Sequence, residues 1–187
     1  GPRVTTLAGF ESYQLTQAWT WEHQALVRAR PVAGDAALGA AFESARQRVL
    51  CQPRDAAKLR QEISDMRARI RQEKAPPKEG FDLKLSAGGR VDVEFIAQYL
   101  VLAHAHAQPQ LVDPRGTAQI LRLAEQLGLL PLGRGAQLAD AFVALCALER
   151  QQTLHGAGTV VDRSAADAPA RAILDSWNEL FGTAAGA

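Results

Sequence analysis

The chain has 187 residues, 47% of them hydrophobic, a formal net charge of +1 and two cysteines. That length and apolar content suit one sizeable domain or two small packed lobes. The near-neutral charge excludes a global field for nucleic acid or an acidic membrane. The separated Cys51 and Cys146 exclude a disulfide framework and point to reduced thiols in a cytoplasmic protein.

No apolar run approaches the roughly 20 residues of a membrane span. No leader segment is visible, and Gly1-Pro2 reads either as native sequence or as a cloning remnant. In chain order, residues 11–30 form the first predicted helix, with Tyr13, Leu15, Ala18, Trp19, Trp21, Ala25 and Leu26 too numerous for one narrow stripe. Such a helix is packed on more than one side. Pro31 ends it, because proline disfavours helical geometry in the residue before it. Gly34-Asp35 is a turn with Asp35 as N-cap. A second helix spans 35–51, with Leu38, Phe42, Ala45 and Val49 on one face. Residues 54–74 form the third and most charged helix. Its seam is Leu59, Ile63, Met66 and Ile70, and Lys58, Glu62, Asp65, Arg67, Arg69 and Arg71 are placed on its wet side. Residues 75–80, with Pro76-Pro77, are a breaker and candidate hinge.

The stretch Phe81-Asp-Leu-Lys-Leu-Ser-Ala-Gly-Gly-Arg-Val-Asp-Val-Glu-Phe95 is the most informative. Phe81, Leu83 and Leu85 alternate with Asp82 and Lys84, the period of a strand or extended arm. Gly88-Gly89 supplies an unobstructed turn. A fourth helix over 91–107 follows, densely apolar and central, with Asp92 and Glu94 near its start. Further helices are predicted over 117–127, over 137–154 and from about Pro169, a first-turn residue, through Phe181. Residues 182–187 are expected to fray. The fold class is therefore all-α, about seven helices in one or two packed bundles, with a short extended arm or hairpin at the Gly-Gly turn. One division runs at 75/76, giving 1–75 and 76–187; a single helical domain is the other arrangement.

Two runs resemble the glutamine synthetase adenylyltransferase family. One is Ala18-Trp-Thr-Trp-Glu-His-Gln-Ala-Leu-Val-Arg-Ala-Arg30 with Gly34-Asp35. The other is Phe81-Asp-Leu-Lys with Gly88-Gly89 and Asp92-Val-Glu-Phe-Ile-Ala-Gln-Tyr-Leu100. The resemblance spans residues 7–181, and its order of motifs, with the small residues after Phe181, is similar to the second, adenylylating half. It implies a bifunctional enzyme that attaches AMP to glutamine synthetase and removes it. It also implies a nucleotidyltransferase domain with a Gly-Ser turn and a metal-binding Asp-x-Asp pair. Neither element occurs here, so the resemblance implies the helical part alone, inactive by itself. The 1–75 helices would adjoin the nucleotidyltransferase domain. Mg2+ and ATP are then cofactors of the whole enzyme, and none is expected on this part. Glutamine synthetase, a PII-type signal protein and the nucleotidyltransferase domain are the expected partners. An alternative reading is a regulatory module sensing glutamine or the PII-type protein. Neither nucleic acid nor membrane is expected as a partner.

Arg28, Arg30, Lys84, Gly88, Gly89, Asp92 and Glu94 are the candidates for the nucleotide cleft or a domain interface. Asp92 and Glu94, two apart on a helix, diverge by about 200° and are poorly placed to share a metal. Asp92 as a helix cap, or either carboxylate paired with Arg28 or Arg30, are the other readings. Arg28 and Arg30 project to different sides of one helix, one reaching a phosphate while the other braces the fold. Lys84 reaches phosphate or the partner domain from an exposed arm. Gly88-Gly89 offers bare amides to phosphate. No metal site is read from His104 and His106, nor a catalytic triad from His23.

Overall fold

The fold is described from a computed structural model, over residues 5–75, 77, 79–113 and 115–182. Pro76 and Lys78 of the expected hinge, Gly1-Pro2 and residues 183–187 of the expected fraying tail lie outside that description. Eight α-helices occur among the described residues: α1 Leu7–Thr16, α2 Thr20–Arg28, α3 Ala36–Leu50, α4 Ala56–Glu73, α5 Arg90–His104, α6 Thr117–Gln126, α7 Arg134–Leu154 and α8 Asp167–Phe181. Strands β1 Phe81–Asp82 and β2 Val160–Val161 pair antiparallel, Phe81 opposite Val161. The class is all-α, as the periodicity predicts. None of these helices is long and apolar enough to cross a membrane.

The extra helix comes from the 11–30 segment, which is two helices rather than one. Trp19 is extended, with ψ at 157°. The Glu22 carboxylate accepts the Trp19 N–H at 2.8 Å and the Tyr13 hydroxyl at 2.9 Å. Glu22 thus restarts the helix in the manner of a capping box, while its bond to Tyr13 holds α1 across the break. Asp35 caps α3 as expected, accepting from Leu38 N at 2.8 Å. The helix expected from residue 137 starts at Arg134 instead. Glu125 of α6 accepts from the Gly133 and Ala136 amides at 2.8 and 2.9 Å, satisfying its open N-terminus.

α5 is the hub. It packs against α2, α4, α6, α7 and α8. Its Val93, Ile96, Leu100 and Val101 join Leu26, Val49, Ile63, Ile120, Leu138 and Ile173 in one continuous apolar cluster. That cluster draws on residues from both sides of position 75/76.

Two arginines, Arg46 fully buried and Arg54 partly so, turn inward to finish helix ends. Arg46 donates to the Leu26, Val27 and Val112 carbonyls. Burial pulls its pKa down to about 10, still charged at neutral pH. Arg54 donates to the Val49, Leu50 and Gln52 carbonyls at the end of α3. Carbonyls left over at helix C-termini need such donors when water cannot reach them.

His23 is buried between these parts, with Nε2 2.9 Å from the Gln14 carbonyl and Nδ1 3.4 Å from Arg54 Nη2. With Arg54 donating to Nδ1, the neutral ring carries its proton on Nε2 and donates it to Gln14. Desolvation lowers its pKa below the ordinary 6.5. The unfolded chain then binds a proton near pH 6.5 that the folded chain refuses. The His23 contribution to stability is therefore complete above that pH and declines as pH falls through 6.5 toward the folded pKa. An NMR titration of the His23 ring should give a midpoint below 6.5; one at or above 6.5 contradicts this placement.

Gly88 has φ at +78°, and a Cβ built there would lie 2.3 Å from the Ala170 carbonyl oxygen of α8. Gly128, at φ +72°, has nothing within 4 Å. Gly88→Ala should cost about 2–4 kcal/mol, from backbone strain plus overlap that backbone cannot yield. Gly128→Ala should cost about 1 kcal/mol from strain alone. Urea unfolding of both variants tests the contrast.

Candidate functional site

The 81–95 stretch folds as a compact arm rather than an alternating strand. Asp82, expected on the wet side, is buried. Its Oδ1 accepts the Lys84 and Leu85 amides, each at 2.8 Å, and its Oδ2 accepts the Thr159 hydroxyl at 3.1 Å. This is the side-chain-to-backbone turn that aspartate favours. Ser86 Oγ accepts the Asp82 amide at 2.9 Å and closes the loop. The chain then reaches α5 with its first amides already used: Arg90 N donates to the Leu83 carbonyl at 2.9 Å and Val91 N to the Lys84 carbonyl at 3.1 Å.

Asp92 lies beneath this arm, fully buried. Its Oδ1 accepts from Arg67 Nε. Its Oδ2 accepts from Arg71 Nη2 at 3.1 Å and from the Gly88 amide at 2.7 Å. Arg67, 1% exposed, also donates to the Leu85 carbonyl at 2.7 Å. One ion-paired cluster thus ties α4, the arm and the first turn of α5. Asp92 is not the helix cap; Gly89 holds that position. Its partners are Arg67 and Arg71 rather than Arg28 or Arg30. Burial lowers the Arg67 pKa, opposed by the adjacent Asp92 charge.

Glu94 points elsewhere. It pairs with Arg28 at 3.1 Å and Arg90 at 3.2 Å, and Arg90 continues to Glu149 at 3.0 Å. The expected arginine partnership therefore exists for Glu94. The Asp92 oxygens are taken up by arginines and an amide, and Glu94 has a separate set of partners. Among the described residues no group of three His, Cys, Asp or Glu side chains is arranged to hold a metal.

The two glycines are likewise committed. The Gly88 amide serves Asp92, and the Gly89 amide donates to the Ser86 carbonyl at 2.8 Å. The phosphate-facing amides expected of this turn are thus used internally. Lys84 is exposed, as expected of the arm. Arg30 is not on the helix with Arg28; it lies past the Ala29 C-cap. Both border an open cleft of about 660 Å³ that Arg115 and Gln119 also line. Arg115 there is tied to Glu43 at 2.5 Å.

Sequence reasoning placed Arg67 and Arg71 in water. The signal was available: position 67 is four beyond Ile63 and eight beyond Leu59, on the same helical face. An arginine in that row needs a buried carboxylate opposite. Removing either partner leaves an uncompensated charge, so Arg67→Met and Asp92→Asn should each cost about 3–5 kcal/mol. A double-mutant cycle by urea unfolding should show coupling above about 1 kcal/mol. Single losses below that size would mean that the pair does not brace the arm.

A family model described as GlnD PII-uridylyltransferase matches residues 56–157, more than half of the chain. Another, described as glutamate-ammonia ligase adenylyltransferase, matches residues 1–45. Three similar proteins carry the name bifunctional glutamine synthetase adenylyltransferase/adenylyl-removing enzyme. The one from Aromatoleum aromaticum is 46% identical over 187 residues, covering 98% of this chain and 20% of the relative. That from Nitrosomonas europaea is 41% identical over 98% of this chain and 21% of the relative. That from Nitrosococcus oceani is 45% identical over 97% and 19%. The chain spans about one fifth of the length of these relatives. With this likeness along nearly its whole length, the chain belongs to the family of bifunctional glutamine synthetase adenylyltransferase/adenylyl-removing enzymes.

Proposed function

We propose that these helices are the scaffold of the adenylylating half of such an enzyme, in the cytoplasm, supporting transfer of AMP from ATP to a tyrosine of glutamine synthetase. The observation that carries the reading is the 46% identity over 98% of the chain to a protein named for that activity. In the transfer, the phenolic oxygen bonds to the α-phosphorus as the bond to pyrophosphate breaks. ATP and Mg2+ belong to a nucleotidyltransferase domain. The arginine-saturated state of Asp92 supports placing the metal ligands outside these residues. The role left for this chain is to present a rigid arm and a charged helical face to that domain and to the protein substrate.

Lys84 is the residue most suited to reach across. Its backbone is pinned by Asp82 and by the start of α5, while its side chain stays in water. Mass measurement of AMP on glutamine synthetase tests the reading. The chain alone should add none, whereas the longer polypeptide containing it should. Lys84→Ala in that polypeptide should lower kcat/KM about tenfold or more, the scale of one lost charge-assisted hydrogen bond. Transfer by the isolated chain, or an unchanged rate in the variant, would overturn the scaffold role or the Lys84 assignment respectively.

A further inference from the structure

Trp19 and Trp21 are 70% and 49% exposed. Sequence periodicity places them in packing contacts, but the Glu22-capped break turns them outward. The local backbone is nevertheless tightly fixed. Glu22 holds the Trp19 amide, Tyr13 holds Glu22, and the Thr20 hydroxyl donates to Glu62 of α4. The backbone that carries these two exposed indoles is thus held in place by polar bonds. Tryptophans that become buried on association are frequent anchors of protein recognition.

The indoles wall a groove of about 310 Å³ whose other side is α4, contributing Glu62, Asp65, Met66 and Arg69. The chemistry is directional. Glu62 and Asp65 put two carboxylates beside the aromatic rings. Glu62 accepts the Thr20 hydroxyl on Oε2, while its Oε1 meets Lys58 only through an exposed pair at 3.8 Å, a weak interaction that leaves that oxygen able to change partners. Asp65 is exposed and its Oδ1 takes a hydrogen bond from Gln61 at 2.8 Å. Indole faces next to carboxylates favour a cation on an aliphatic stem, through cation–π attraction and stem burial together. Arg69, farther along α4, suits a carbonyl or carboxylate on the same incoming segment.

We propose that the Trp19–Trp21 groove is a docking site for a protein segment that presents a lysine or arginine side chain, stem on the indoles and cation at Glu62 and Asp65. The site uses only residues of α2, the preceding turn and α4, and it stands independently of the adenylyl-transfer reading.

The test is an NMR titration of the whole chain, following its three indole N–H signals. The probe is acetyl-Leu-Lys-Leu-amide, with norleucine replacing lysine as the control. The lysine peptide should shift the Trp19 and Trp21 signals saturably and leave that of Trp177, buried in the core, in place. The norleucine peptide should bind at least fivefold more weakly. Asp65→Lys, an exposed change, should weaken the lysine peptide at least fivefold while the Trp177 signal reports an intact fold. Equal binding of both peptides, no shift with either, or binding unaffected by Asp65→Lys would overturn the proposal. Indole shifts that follow protein concentration without peptide would also overturn it, since the occupant would then be a second copy of the chain.

Discussion

A carboxylate taken wholly out of water must be answered by donors on every side, and Asp92 sets that demand at the centre of this fold. Its two oxygens recruit Arg67, Arg71 and the Gly88 amide. Two of the donors belong to α4 and the third to the arm, so meeting the demand fixes the positions of α4, the arm and α5 relative to one another. Helix α4 must present residues 67 and 71 inward, one turn apart. The arm must bend until Gly88 faces back on the first turn of α5. The price is high desolvation, which is why a single missing donor is so costly while the complete set is tolerable.

The arginines of this molecule divide into two populations with different work. Arg46, Arg54 and Arg67 face inward and terminate helices or bind the arm. Arg28 at the end of α2 and Arg30 just past its C-cap face outward, and the Arg28–Glu94–Arg90–Glu149 chain joins the end of α2 to α7. The near-zero net charge conceals this partition, because the inward set matters through geometry rather than through a long-range field. Polar bonds of the first kind specify the structure, and what remains outside is available for recognition.

Much of the helical frame was legible because periodicity and capping are local. Asp35 marks the start of α3, and the apolar spacings of α3, α4 and α6 place their ends within a residue or two of those observed. The misreadings share one cause: a side-chain hydrogen bond that apolar spacing does not encode decided the local geometry. Glu22 and Tyr13 break the 11–30 segment, although its apolar pattern runs on. Glu125, eight residues upstream of Gly133, advances the start of α7. Asp82 turns inward because Thr159, on a distant loop, meets it there. For the candidate site, the Glu94–Arg28 pair was legible, whereas the partners of Asp92 were not, since an arginine in an apolar stripe reads as a solvated charge until its carboxylate is placed. The aromatic groove required the break after α1 to be seen first.

The meeting of Gly88 and Ala170 has a mechanical corollary. With a backbone carbonyl so close that a methyl group cannot intervene, no side chain is present to swivel and absorb displacement. The first turn of α8 and the glycine bend therefore form a joint without slack. A push on α8 toward the arm is delivered straight to the amide that clasps Asp92, making α8 a lever on a fully buried charge.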